Sequence, residues 1–190
     1  MKISKTPFEG LAIIQQNSYN DIRGSFRENF RLKTLEDFFS RKLNFCQDNI
    51  TYSKKGVIRG MHYQLPPSTQ SKLVSVIKGI VLDVVLDLRL NSSTFGKCFN
   101  IELSETNKIQ LFIPRGFAHG YITLSKESIL FYKTDNYYNK EKEACIAFDD
   151  SNLEINWQLP KSEWILSKKD KGSISFKNAP KFEQNINLYD

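Results

Sequence analysis

Gly56-Val57-Ile58-Arg59-Gly60-Met61-His62-Tyr63-Gln64, continuing through Leu65-Pro66-Pro67-Ser68-Thr69-Gln70-Ser71-Lys72, decides how the rest of the chain is read. It gathers an arginine, one of only two histidines and a lysine into a short segment. Residues 56 to 64 read as a half-buried strand, entered through one glycine and interrupted by a second. Pro66-Pro67 then ends it in a loop. Strict alternation puts Arg59 and His62 on opposite faces, so if both serve one pocket, Gly60 must mark a bulge or kink.

Outward from this stretch the pattern stays extended. Leu11 to Ile14 and Phe45 to Thr51 read as strands, and a turn at Arg23-Gly24 divides the polar segment Asp21 to Glu28. Leu73 to Ile77 leads to Lys78-Gly79, read as a hairpin turn. Ile80 to Arg89 alternates cleanly, with Leu82, Val84, Leu86 and Leu88 on one face and Asp83, Val85, Asp87 and Arg89 on the other. Two acids on one face imply either a polar interior or an exposed sheet face. Cys98 to Leu103, Ile109 to Ile113, Gly120 to Leu124 and Ser128 to Tyr132 add four strands at sandwich or barrel spacing. One short helix is expected from Thr34, with Asp37 at capping-box spacing and Leu35, Phe38, Phe39 and Leu43 on one stripe. Residues 134 to 170 are loop-rich, with a short strand near Asn156-Trp157. The polar stretch after Asp170 fits either an ordered arm or a loose tail.

At 190 residues this is read as one all-β domain spanning 1–190. The net charge of +6 comes from 27 basic residues interleaved with acids, as in Glu141-Lys142-Glu143. That is generic basicity and points away from nucleic acid, while a few buried cations facing a small polyanion would fit the same balance. Cys46, Cys98 and Cys145 form no paired spacing, so neither a disulfide framework nor a thiolate zinc site is expected. No signal-peptide run or membrane-length apolar stretch is present in the sequence, and the expected location is cytoplasmic.

The histidines sit in two patterns similar to those of the cupin jelly roll. Gly56 and His62 match the glycine and first histidine of its first motif, and Pro114-Arg115-Gly116-Phe117-Ala118-His119 matches its second. Gln64 stands where metal-binding cupins have another histidine, and Ser68 or Thr69 where they have a glutamate. No metal and no cofactor are therefore expected. A longer series then resembles the dTDP-4-dehydrorhamnose 3,5-epimerase family from about residue 8 to 170: Asp21-x-Arg23-Gly24-x-Phe26-x-Glu28, Gln47-x-Asn49, Arg59-Gly60-Met61-His62-Tyr63-Gln64, Lys72-Leu73-Val74, Ser93-Thr94-Phe95-Gly96, Tyr132 and Ser167-x-Lys169-Asp170. The departures are Tyr121 where phenylalanine is commoner, the spaced Trp157-Gln158-Leu159-Pro160, and Cys145 near a usual glycine.

The resemblance implies a cupin-type jelly roll with a short helix near the N-terminus and a loop-rich C-terminal region. It implies epimerisation at C3 and C5 of a nucleoside-diphosphate 4-keto-6-deoxy sugar, with dTDP-4-dehydro-6-deoxy-D-glucose becoming dTDP-4-dehydro-L-rhamnose. His62 would be the base, Asp170 its orienting carboxylate, Lys72 the partner of the C4 oxygen and Tyr132 the acid on the opposite face. Arg23, Phe26, Glu28, Gln47, Asn49, Arg59, His119 and Tyr138 would surround the nucleotide. A homodimer would bring the Arg23 to Glu28 segment to the neighbouring subunit's pocket. The alternatives are a GDP- or CDP-linked substrate, inversion of one carbon, a sugar-nucleotide-binding cupin without turnover, or a metal-dependent oxygenase, the last disfavoured by Gln64. Taken singly, each proposed catalytic residue has an ordinary structural role. Their joint spacing within these motifs carries the functional reading.

Overall fold

The computed structural model describes residues 1–183 and 187–189. Its elements in chain order are β1 (Lys2–Lys5), β2 (Ala12–Gln15), β3 (Tyr19–Asp21), β4 (Gly24–Phe26), α1 (Leu32–Phe39), β5 (Gln47–Lys54), β6 (Ile58–Gln64), β7 (Lys72–Lys78) and β8 (Ile80–Asp87). There follow β9 (Cys98–Ser104), β10 (Ile109–Ile113), β11 (Phe117–Thr123), β12 (Glu127–Thr134), β13 (Glu143–Cys145) and a single helical turn, α2 (Lys168–Lys171). Two antiparallel sheets face each other, one ordered β1-β2-β10-β7-β12-β5 and the other β13-β6-β11-β8-β9, with β3 and β4 forming a separate hairpin. This is the cupin-type jelly roll that the resemblance implies.

Three apolar layers follow from the strand alternation. Val74, Val76, Val85, Leu111 and Leu130 fill the space between the sheets. Leu35 of α1 and Leu43 close over Ala12, Ile14 and Phe112 on the outside of the larger sheet. The other face of β8, Leu82 to Leu88, is covered by the C-terminal third, including Trp157 and Phe182. Fully burying each such large side chain contributes about 1.5–3 kcal/mol, and this clamps an otherwise loop-rich segment onto the smaller sheet. Of the two readings of β8, the polar interior is the one found, because Asp83 and Asp87 are both wholly buried.

Several expectations are corrected. Lys78-Gly79 is not a hairpin turn: β7 and β8 lie in different sheets, and the chain passes between them at this corner. Gly79 has φ +81°, and a Cβ there would lie 2.2 Å from the Glu127 carbonyl oxygen, so a corner glycine resembles a hairpin glycine in sequence. The helix starts at Leu32, with Arg31 as an N-cap whose side chain makes no capping hydrogen bond. Asp37 pairs with Lys33 on the surface instead of forming a capping box. β11 starts at Phe117, so His119 belongs to a strand. No strand forms near Asn156-Trp157; Trp157 is a buried plug whose Nε1 donates to the Phe148 carbonyl oxygen at 2.9 Å. The strand of that region is β13. After Asp170 the chain is an ordered arm over its described residues, with Ala179 and Phe182 buried and Tyr63 Oη donating to the Pro180 carbonyl oxygen at 2.9 Å.

Candidate active site

The bulge anticipated at Gly60 is present. His119 of β11 pairs with His62 and Tyr121 with Arg59, so β6 carries one residue more than its partner between these positions. Gly60 has φ +132°, and a Cβ on it would meet the Gly120 Cα at 2.5 Å. Two glycines thus let the two strands approach at the point where β6 changes register. Ile58, Met61 and Tyr63 keep to the outer apolar layer.

His62 Nε2 lies 2.7 Å from Asp170 Oδ1. Asp170 is fixed by Ser167, the N-cap of α2, whose Oγ accepts from the Asp170 amide and donates to Oδ2 at 2.6 Å. Burial pushes the Asp170 carboxyl up, but the hydrogen bonds from His62 and Ser167 outweigh it and leave it below its usual range. It therefore stays ionised, with Nε2 of His62 as the nitrogen facing it.

Lys72 on β7 and Tyr132 on β12 come from the inner face of the opposite sheet, where Tyr132 pairs with Val74 and Thr134 with Lys72. Burial lowers the Lys72 ammonium to about 8, against the opposing pull of Asp83 and Glu143 and with a small further push from Lys169. Burial also raises the Tyr132 phenol, aided by Tyr121. Neither Lys72 Nζ nor Tyr132 Oη has a hydrogen-bond partner among the described residues, so both are open to a ligand. His62, Lys72, Tyr132, Gln47, Asn49 and Tyr138 all line one cavity of about 260 Å³ between the sheets.

The remaining expected residues lie elsewhere. His119 is buried, outside that lining, with Nε2 2.9 Å from Asp83 Oδ2. Burial, only partly opposed by Asp83, lowers its pKa and keeps it neutral. Arg59 is exposed and donates to Ser53 Oγ at 3.2 Å and the Tyr52 carbonyl oxygen at 3.3 Å. Arg23 and Phe26 lie on the exposed hairpin, where Arg23 pairs with Asp21, and Glu28 pairs with Arg31.

Sequence reasoning missed part of the lining. The sequence gives Gln64 a place in the family motif and in the position of a lost metal ligand, and Gln70 a place in the loop after the prolines, but neither as a lining residue; both face the cavity with Thr134. Glu143 reads in the sequence only as one of the acids interleaved with basic residues. It lines the cavity, receives a hydrogen bond from Tyr138 Oη at 2.9 Å and is paired with Lys169. Only the pairing of β13 with β6 puts it there, and no local pattern announces that pairing. Cys145, two residues on, stands directly opposite His62 in the same ladder but outside the cavity lining. Burial pushes its thiol up to about 11.

A carboxylate-oriented imidazole lining one cavity with a phenol and an ammonium suits removal and return of a carbon-bound proton beside a carbonyl. Fold and site together define a jelly-roll enzyme of the epimerase kind. Comparison with known proteins specifies it further. Residues 5–178 match the model of the family described as dTDP-4-dehydrorhamnose 3,5-epimerase. The dTDP-4-dehydrorhamnose 3,5-epimerase of Shigella flexneri is 43% identical over 182 residues, covering 96% of this chain and 99% of the relative. The crystal structure of the Elizabethkingia anophelis enzyme superposes with a TM-score of 0.89 at 47% identity, covering 93% and 97% of the two chains. That of the Legionella pneumophila dTDP-6-deoxy-D-glucose-3,5-epimerase, in complex with dTDP-4-keto-L-rhamnose, has a TM-score of 0.90 at 41% identity, covering 95% and 98%. The chain belongs to the dTDP-4-dehydrorhamnose 3,5-epimerase family and is an isomerase. No helix among the described residues is long and apolar enough to cross a membrane.

Proposed function

We propose that this chain, as a single cupin-like domain, converts dTDP-4-dehydro-6-deoxy-D-glucose to dTDP-4-dehydro-L-rhamnose in the cytoplasm, without metal or cofactor. His62 takes the proton from the carbon beside the C4 ketone. Lys72 donates to the C4 oxygen as it becomes an enolate, and Tyr132 returns a proton to the other face of the ring. The observation that carries this is the placement of His62, held by Asp170, on one sheet, with Lys72 and Tyr132 on the other and the cavity between them.

The cavity lies at the small end of ligand pockets, which typically run to about 300–1,000 Å³, and so suits the sugar while the nucleotide extends outward. Gln47, Asn49 and Tyr138 at its wall, with Arg59 beside β5, are suited to receive the diphosphate and base. His119 we assign to holding Asp83 near Lys72 instead of touching the nucleotide. Arg23, Phe26 and Glu28 would reach the nucleotide of a second subunit in a homodimer. The support is that Tyr19, Ile22, Phe26, Ile50 and Tyr52 are all exposed on the hairpin and the edge strand β5, leaving apolar surface for a partner to cover.

Incubation with dTDP-, GDP- and CDP-linked 4-keto-6-deoxy sugars in deuterated water tests this. Label at both C3 and C5 of the dTDP sugar alone is expected. Label at one carbon, or preference for another nucleotide, would replace the reading with that of a related epimerase. Activity is expected to survive chelation, and a strict need for a divalent ion would overturn the metal-free assignment.

A further inference from the structure

The thiol of Cys145 plays no part in the proton transfers, yet it stands behind the base. As the direct cross-strand partner of His62, it projects to the same side of the sheet. Ligand atoms of His62, Cys145 and Asp170 all lie within 4.8 Å of one another. A tetrahedral zinc ion holds nitrogen, sulfur and oxygen ligands roughly 3.4–3.6 Å apart, so movements of about an ångström would bring these three to one ion. Ser173 Oγ lies 2.8 Å from Cys145 Sγ and 2.7 Å from the Asp170 carbonyl oxygen, so one hydroxyl ties the segment that carries Asp170 to the thiol and can turn its proton to the sulfur when that becomes a thiolate. An imidazole, a thiolate and a carboxylate also supply two negative charges to a divalent cation.

We propose that this chain has an inhibitory site for a soft divalent cation, zinc being the probe, formed by His62 Nε2, Cys145 Sγ and an Asp170 carboxylate oxygen. On binding, the Cys145 thiol proton passes to solvent and the sulfur becomes a thiolate ligand. The imidazole proton facing Asp170 moves from Nε2 to Nδ1, because the metal takes the Nε2 lone pair. Nδ1 then carries a proton and has no lone pair with which to accept one from the sugar. The site therefore blocks the base without occupying the cavity. Inhibition rests on the proposed role of His62, whereas binding does not, so the two are measured separately.

Equilibrium dialysis of the full chain against zinc is expected to give one ion per chain, with Cys145→Ala and Asp170→Asn each weakening binding more than about 100-fold. Cobalt(II) in place of zinc is expected to show a thiolate-to-metal absorption band that is absent in Cys145→Ala. Turnover of the native chain should fall with added zinc and return with chelator, while Cys145→Ala keeps its turnover and loses zinc sensitivity. Cys145→Ser, which preserves the hydrogen bond to Ser173, serves if the alanine variant does not fold. No zinc bound by the native chain, or equal zinc binding by native and variant chains, would overturn the site. Zinc bound through Cys145 with turnover unaffected would overturn the inhibition and, with it, question His62 as the base.

Discussion

At the space between the sheets and its border, His62, Lys72, Asp83, His119 and Asp170 are wholly or largely withdrawn from water, and His62 with Asp170 and His119 with Asp83 form pairs of fixed geometry. On the β3–β4 hairpin and just beyond it, Asp21, Arg23, Glu28 and Arg31 form ion pairs of similar length in open solvent. At an effective dielectric of about 20, a pair of charges interacts about four times as strongly as in water, so the interior set shifts its own protonation and holds its shape. The exposed pairs are screened and can exchange partners. One chain holds the interior set in place by itself, while Arg23 and Glu28, proposed to reach a second subunit's nucleotide, sit in exposed pairs that a ligand can displace.

The most severe test of this contrast is His62→Ala, expected to cost about 10² to 10⁴ in turnover and to abolish deuterium exchange as well. Retained exchange would mean the interior holds a second base. Next, Lys72→Met is expected to cost about 10² to 10³, the usual loss on removing one donor to a developing oxyanion. Lys72 carries its proton below about 8 and loses it above, so kcat/KM should fall as pH rises through about 8, and the methionine variant should lack that limb. Folding lowers this ammonium from its ordinary 10.5 to about 8, so the folded chain binds fewer protons than the unfolded one between those values. Lys72 therefore makes stability rise with pH in that window, and Lys72→Met should lose the rise and melt higher at neutral pH. A thermal-melt series across pH reads both effects.

Tyr132→Phe sharpens the division within the interior. It is expected to slow inversion while still permitting exchange with retention, because His62 can return the proton it took. Wild-type epimerisation by this variant would remove Tyr132 from the mechanism. The smallest effect on the chain itself is expected from Arg23→Ala, which should leave the melting temperature unchanged while weakening nucleotide binding. An unaltered nucleotide affinity in this variant would mean that the hairpin serves no pocket.

The same contrast explains what could be read from the sequence. Strand alternation and the glycine within Arg59-Gly60-Met61-His62 made the bulge and the facing residues legible, because a period of two leaves few ways to place them. The resemblance brought His62, Lys72, Tyr132 and Asp170 together, although Asp170 lies 108 residues from His62. Glu143 was not legible, since its role depends on β13 pairing with β6 across a loop without pattern. The corner at Gly79 failed for a related reason: positive φ marks a turn but not whether the next strand returns to the same sheet. The motif around His119 gives no sign of Asp83, the carboxylate that faces it from the neighbouring strand β8, so that contact is legible only in the structure.

The hydrogen bond from His62 to Asp170 has a consequence for the order of events during synthesis. Its two ends are separated by 108 residues, and the second reaches its place only when the C-terminal third has closed over the smaller sheet. Such non-local closure is among the later and slower steps of folding, since the chain must lose loop entropy before the contact forms. A nascent chain emerging from the ribosome thus holds an unoriented imidazole until the segment that carries Asp170 has emerged and docked. If His62 is the base as proposed, competence for proton abstraction arrives only with that docking, and a product cut short before Asp170 lacks the bond that orients the imidazole.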